Sequence, residues 1–407
     1  MNEPDERDER DTGEQAAPDA DRNARGPVGE AAGAGGGGPG PGEYLQVADL
    51  SVTYRTAGGD VPAVRGVSFG LQPGSKLGVA GESGCGKSTV ALALLRLLPR
   101  TARTGGRVLL DGEDVLAMRW GRLRAVRWAG ASIVFQGAMH SLNPVHRVGA
   151  QIAEPVLLHG GAKPARARER VAELLEQVGL PAWRSRSYPH ELSGGQRQRA
   201  VIAMALACEP RLIIADEPTT ALDVMIQAQI LRLIDDLVTG LDISMLMISH
   251  DLSVLADTCD RLAVMYAGRI VEEGPAEEVF AGARHPYSAA LSAAFPRVGD
   301  PASRRAPRGL PGDPPDPAAL PRGCSFGPRC PEAQQRCAEV DPVLWPAGGR
   351  RSAACVRVLS DEGARAAGVP PARPREEGAA DTSRLDRGGE DDRAPAPDSA
   401  PQPEETR

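Results

Sequence analysis

Residues 81–89 read GESGCGKST, a Gly-x-x-x-x-Gly-Lys-Ser segment set between an apolar run, 77–80, and a helical pattern, 90–98. A strand, a glycine-rich loop and a helix in that order leave few architectures open. The glycines let the backbone curl around an anion. Successive N–H groups then point inward at the start of a helix, where the peptide dipoles favour negative charge. Gly81, Glu82, Ser83, Gly84, Cys85 and Gly86 form the loop. Lys87 is placed to reach β- and γ-phosphates and Ser88 to ligate magnesium, with Thr89 beside it. Alone, the segment implies a nucleoside triphosphate and nothing more specific.

Two further segments narrow the reading. Residues 212–218 read LIIADEP, an apolar run that suits a buried strand and keeps its acids at the tip. Asp216 is expected to hold magnesium, while Glu217, on the other side of the strand, is expected to polarise an attacking water. Residues 192–199 read LSGGQRQR. After Leu192, the run Ser193, Gly194, Gly195, Gln196 opens a helix and offers a second ring of N–H donors at a positive dipole end. One nucleotide has no use for two such loops from one copy of the chain on the same γ-phosphate.

The coarse pattern is α/β. Apolar residues over 45–69 recur with a period near two, interrupted by AGGDVP at 57–62, and predict antiparallel strands with a turn. KLGVA at 76–80, RVLLDG at 107–112 and SIVFQ at 132–136 read as further strands. Residues 165–179 place Val171, Leu174, Leu175 and Val178 on one helical face, with Gly179 suited to the C-terminal cap. From 212 onward strands and helices alternate, which implies βαβ units and a mainly parallel sheet with its chemistry at the strands' carboxyl ends.

Charge and cysteine content bear on partners. A formal net charge of −7 without a basic stripe argues against nucleic acid. No stretch of about 18 apolar residues occurs, so no membrane-crossing helix is expected, and neither is a secretory signal. Seven cysteines fit a reducing compartment and metal or free-thiol use. Residues 1–43 and 359–407 are poor in large apolar side chains and are expected to be disordered tails.

In order and spacing, the three segments resemble the ATP-binding cassette (ABC) family from about residue 45 to 280. Further landmarks match: Tyr54 in LSVTY, where the family stacks an aromatic on adenine; Gln136 in IVFQ at its Q-loop; Asp223 in TALD at its D-loop; and His250 in MISHDL at its switch histidine. None is diagnostic singly. The resemblance implies an α/β fold, a P-loop NTPase ABC nucleotide-binding domain over 44–283. It comprises a RecA-like core, an antiparallel β subdomain and an inserted helical subdomain at about 137–205. It also implies ATP and Mg2+ as cofactors, with Ser88, Gln136 and Asp216 serving the metal and Glu217, His250, Gln136 and Lys87 the hydrolysis. Two subunits would pair head to tail, the signature Leu192, Ser193, Gly194, Gly195 and Gln196 of one closing on the partner's ATP, with Asp223 at the seam. One departure stands out: Gly137 follows Gln136, where members often carry an acidic residue. A single phosphate loop and a single signature mean one cassette.

The segment after the core narrows the resemblance. RHPYSAAL at 284–291 and the Pro- and Cys-containing run at 310–337 resemble the C-terminal extension, here 284–358, of dipeptide and oligopeptide importer ATPases, a group that includes nickel and glutathione importers. The implied function is an ATP-hydrolysing subunit on the cytoplasmic face of the plasma (inner) membrane. Its implied partners are two permease subunits, a second ATPase subunit and an extracytoplasmic substrate-binding protein. The competing readings are a soluble non-transport ABC ATPase and an exporter subunit. Cys324, Cys330, Cys337 and Cys355 are separated by five, six and seventeen residues. Some members of the group carry a [4Fe-4S] cluster there; an iron–sulfur centre, zinc and plain thiols all remain open. This extension is expected to fold separately from the phosphate loop. Cys85, Cys208 and Cys259 read as inert small residues, although the position of Cys85 near positive dipoles also makes it a candidate for reaction with thiol reagents.

Overall fold

Three strands in the middle of the chain are apolar on both sides, and this decides the architecture. β7 (Leu212–Asp216) sends Leu212 and Ile214 into one core and Ile213 and Ala215 into another; β8 (Ser244–Ser249) splits Leu246 and Ile248 from Met245 and Met247 in the same way. β9 (Arg261–Tyr266) does likewise. Side chains alternate across a strand, so a continuous apolar run needs cover on both faces. The computed structural model describes residues 42–137, 141–220, 222–294 and 309–359. The tails, apart from residues 42, 43 and 359, lie outside the described residues.

The other strands are β1 (Leu45–Thr56), β2 (Gly59–Leu71), β3 (Lys76–Ala80), β4 (Ala102–Leu110), β5 (Glu113–Asp114), β6 (Ala131–Val134), β10 (Arg269–Pro275), β11 (Trp345–Pro346) and β12 (Ser352–Ala353). The main sheet runs β11-β12-β10-β9-β3-β8-β7-β6, with β9, β3, β8, β7 and β6 parallel and the remainder antiparallel. A second sheet, β2-β1-β4-β5, is antiparallel throughout and covers one face of the first through Val47, Val52, Val67 and Phe69.

The chain reverses between β1 and β2 earlier than its sequence suggests. Only Ala57 and Gly58 lie between the strands, and Asp60, Val61 and Pro62 already pair with Arg55, Tyr54 and Thr53. Pro62 is tolerated because β2 is an edge strand, where a missing N–H costs no ladder bond. The helix after the phosphate loop, α1, spans Lys87–Leu94 and stops at Arg96, whose φ is +50°.

α2 (Trp120–Ala129) precedes β6 and lies on the second sheet's side, with Leu123 and Val126 in that core. The opposite face of the main sheet meets the helices that follow: α3 (Val148–Leu158), α4 (Pro164–Gln177) and α5 (Gly194–Ala205) pack on one another through Val148, Ile152, Val171, Leu174, Leu175 and Ile202. The face predicted for α4 is the one buried, and Gly179 beyond it takes φ +73°. α6 (Val224–Gly240), α7 (Leu252–Thr258), α8 (Ala276–Ala281) and α9 (Pro286–Ala294) complete the layer, and a short α10 (Arg336–Glu339) lies among the cysteines.

The C-terminal extension is not a separate folding unit. β12 adds to β10 through Ala353 and Ser352, and Phe326 is buried in the helical-side core against Tyr266, Tyr287 and His285, at ring separations of 5.3, 5.4 and 5.9 Å. A segment with little apolar surface of its own gains stability by burying one large ring in the core of its neighbour. Phe326→Ala should therefore destabilise the main unfolding transition in urea by about 3–5 kcal/mol. An independently folding extension would leave that transition where it was.

Candidate active site

The phosphate loop leaves β3 at Ala80 and turns twice where only glycine fits. A Cβ at Gly81 (φ +156°) would lie 2.4 Å from the Met265 carbonyl oxygen, and one at Gly86 (φ +107°) 2.4 Å from that of Ala63. Gly86 caps α1 without any side-chain bond, leaving first-turn N–H groups free for an anion. Lys87 is buried, its Nζ donating to the carbonyls of Gly81 (2.7 Å) and Glu82 (2.9 Å). Tyr54 Oη lies 3.3 Å from Thr89 Oγ1, joining the second sheet to the start of α1.

At the tip of β7, Asp216 Oδ1 accepts a 3.1 Å bond from Ser88 Oγ. Burial raises the Asp216 carboxyl above its usual range; the Ser88 bond opposes this, the neighbouring Glu217 charge adds to it, and Lys87 offsets it. A buried carboxylate next to a hydroxyl and a second acid is a hard-oxygen set suited to Mg2+. Glu217 stands in the left-handed region (φ +44°) with its N–H bonded to Ile248 O at 2.9 Å. That strained backbone turns its side chain away from Asp216. Oε2 accepts from Gln136 Nε2 (2.7 Å) and Thr220 Oγ1 (2.9 Å), and His250 Nδ1 stands 3.7 Å from Oε1. Thr220 is the residue that sequence reasoning passed over, although it lies only three positions past the acid.

The signature segment opens a helix of its own. Ser193 caps α5: its Oγ accepts from Gln196 N (3.3 Å), and its own N–H donates to Gln196 Oε1 (3.1 Å). Leu192 is buried beneath it. A Cβ at Gly195 would sit 2.8 Å from Ile226 Cγ2, and one at Gly194 would sit 3.2 Å from Leu222 Cδ2. Small residues are thus needed for α5 to approach α6, which Asp223 caps by accepting from Ile226 N at 3.0 Å. The stretch 138–140 after Gln136 and Gly137, and Ala221 in the TALD run, lie outside the described residues.

Cys324, Cys330, Cys337 and Cys355 line one cavity, which His285 and Phe326 close from the core side. Burial raises the thiols of Cys324 and Cys330, and that of Cys355 to about 11, and neighbouring thiols add to the rise. Among the described residues no group of three or more His, Cys, Asp or Glu side chains is drawn in to hold a metal ion. The donors match a thiolate-ligated centre in kind, but not in spacing.

A phosphate loop after β3 and an Asp–Glu pair at the tip of the parallel β7 define a P-loop nucleoside triphosphate-binding protein. Comparison with known proteins is more specific. The ABC transporter family matches residues 64–220, and the oligopeptide/dipeptide transporter C-terminal region matches 271–337. A putative peptide import ATP-binding protein of Brucella abortus (strain 2308) is 46% identical over 321 residues, 78% of this chain and 96% of that protein. The oligopeptide transport ATP-binding protein OppD of Salmonella typhimurium is 46% identical over 308 residues, 75% of this chain and 91% of OppD. Among solved structures, the dimeric ATP-binding cassette MJ0796 bound to ADP and Pi is 26% identical with a TM-score of 0.51, covering 57% of this chain and 98% of that one. A second, cbiO1 from Clostridium perfringens, part of the ABC transporter complex cbiONQ, is 29% identical with a TM-score of 0.51 over 59% and 91%. The chain belongs to the ABC transporter family, among its ATP-binding proteins.

The loop cysteine is shielded, in line with the inert reading. Cys85 is buried and its thiol is raised, first by burial, although Lys87 Nζ at 3.8 Å opposes the shift. Cys259 is raised to about 12 for the same first reason. The nearby positive groups do not make up for lost hydration. With a maleimide at pH 7, peptide mapping should find both unlabelled in folded protein and labelled once the chain is unfolded.

Proposed function

We propose that this chain binds and hydrolyses ATP to energise an ABC importer of peptides or related small solutes. The observation that carries the proposal is Glu217, held at the strand tip by Gln136 and Thr220, facing His250, one residue beyond an Asp216 already bonded to the phosphate-loop Ser88. The peptide-import names of relatives 46% identical support the substrate class.

In this reading Ser88 and Asp216 would hold Mg2+, which would supply positive charge to offset that of the phosphates. Lys87 adds its own positive charge at the loop, and the free N–H groups of α1 meet the β-phosphate side. Glu217 takes the proton of the attacking water, His250 orients that carboxylate, and Gln136 links it to the helices α3 to α5. Tyr54 offers its ring to the base. The bonds of Glu217 to Gln136 and Thr220 keep it aimed before substrate arrives, so little reorganisation is left for the chemical step.

The signature Ser193, Gly194 and Gly195 serve the nucleotide of a second subunit, with Asp223 at the shared seam. Exposed Val224 and Met225 beside Asp223, 77% and 72% accessible, support a covered interface there. Two permease subunits dock on the helical region, where Val145, Leu157, Leu158 and Trp183 are exposed. A substrate-binding protein outside the cell delivers cargo, and the chain works at the cytoplasmic face. Among the described residues no helix is long and apolar enough to cross a membrane.

Glu217→Gln should retain ATP affinity within about threefold and lower turnover by about 10²-fold or more, the usual scale for a lost general base. Phosphate release and fluorescent-nucleotide titration on the purified full chain measure the two separately; near-normal release would remove Glu217 from this role.

Cys324, Cys330, Cys337 and Cys355, which line one cavity, would hold a thiolate-ligated centre, foremost a [4Fe-4S] cluster. Protein purified anaerobically with iron and sulfide supplied should be brown and hold roughly four irons and four labile sulfides per chain. Cys330→Ser should bleach it. One zinc per colourless chain would instead identify a tetrahedral site, and no metal would leave four plain thiols.

A further inference from the structure

The geometry points to Arg329 and Tyr287, both from the C-terminal extension, as positioning residues for the phosphate loop in the ATP reaction. Every polar group of Glu82, the second residue of that loop, is engaged. Its carboxylate is gripped by both terminal nitrogens of Arg329, Nη1 to Oε2 at 2.7 Å and Nη2 to Oε1 at 3.0 Å. Its N–H donates to Tyr287 Oη at 2.8 Å. Its carbonyl accepts from Lys87 Nζ at 2.9 Å. The extension therefore holds the peptide unit that in turn holds the lysine.

Arg329 is built for this task. Its side chain is only 7% accessible, its Nε donates to Pro311 O at 2.9 Å, and its guanidinium lies 5.9 Å from the centre of the Tyr266 ring. A two-pronged guanidinium–carboxylate pair fixes direction as well as distance, and a largely buried one loses little to solvent screening. Tyr287 is fully buried, with its ring 4.6 Å from Tyr266 and 5.4 Å from Phe326, so its hydroxyl cannot swing away. Arg329 closes the 3-10 turn Gly327–Arg329, between Cys324 and Cys330, and that turn anchors the guanidinium in the extension.

The alternative is that these contacts only glue the extension to the core. Two features favour positioning. Both contacts converge on a single loop residue, whereas the ion pairs of Asp341 with Arg65 and Arg269 join the extension to the cassette without touching the loop. That residue also carries one of the two carbonyls that locate Lys87. Moreover, Pro314, Pro315, Asp316 and Pro317 of the extension face Glu82, Ser83, Gly84 and Cys85 across a cleft of about 260 Å³. The extension thus walls the loop as well as tethering it.

The inference rests on the loop being the ATP site, and the experiment separates the two. ATP affinity, the KM and kcat of ATP hydrolysis, and thermal stability are measured on the full-length chain for Arg329→Ala, Arg329→Lys, Glu82→Gln and Tyr287→Phe. Arg329→Ala and Glu82→Gln should each raise the ATP Kd and KM by about tenfold, the effect of one charge-assisted bond, with kcat changed less than about threefold. Their combination should be no worse than either alone. Arg329→Lys, which keeps the charge but loses the fork, should recover part of the loss. Tyr287→Phe should raise KM by about threefold to tenfold. Wild-type Kd and KM in these variants, with only a lowered melting temperature, would overturn the positioning role. Should Arg329→Ala fail to fold, Glu82→Gln and Tyr287→Phe, which alter few atoms, decide the matter. Wild-type protein that bound no ATP would instead overturn the ATP reading itself.

Discussion

Burial of both faces of β3, β7 and β8 governs where polar chemistry can appear in this chain. Along these strands nearly every side chain enters one of two cores, so a charged group has no place until the strand ends. The parallel arrangement brings those ends to one edge. The phosphate loop follows β3, Asp216 and Glu217 end β7, and His250 follows β8. The site is thus the first point at which three buried strands meet water, as expected for open α/β sheets.

At that edge the structure separates two neighbouring acids by backbone strain. Asp216 remains in regular strand and bonds to Ser88, while Glu217 adopts a positive φ and turns toward Gln136, Thr220 and His250. The two carboxylates are covalent neighbours, yet they face different partners. Gln136 lies just beyond β6, where the chain departs toward α3, so the bond to Glu217 joins the sheet edge to the helical layer.

The extension changes how the loop itself is understood. A phosphate loop is usually described through its glycines, its lysine and the helix that follows. Here one of its residues also belongs to a polar and aromatic junction made by Tyr266, Tyr287, Phe326 and Arg329. The extension contributes no large core of its own; it completes the core of the cassette and borrows stability from it.

Local patterns in the sequence were enough to locate the phosphate loop, the acidic strand tip, the capped signature helix and the buried face of α4. Each is a short-range object, set by glycine, by apolar periodicity or by a capping residue, and so can be read without knowing its neighbours. The family resemblance added Tyr54, Gln136, Asp223 and His250, which no short window identifies. Only the tertiary structure decided that Thr220 bonds Glu217, that Cys85 is buried, and that the extension is part of the cassette. The Glu82–Arg329 pair spans 247 residues and Glu82–Tyr287 spans 205. Contacts of that separation depend on how β3, β9, α9 and the cysteine segment pack together, and packing is a property of the whole fold that no local pattern encodes.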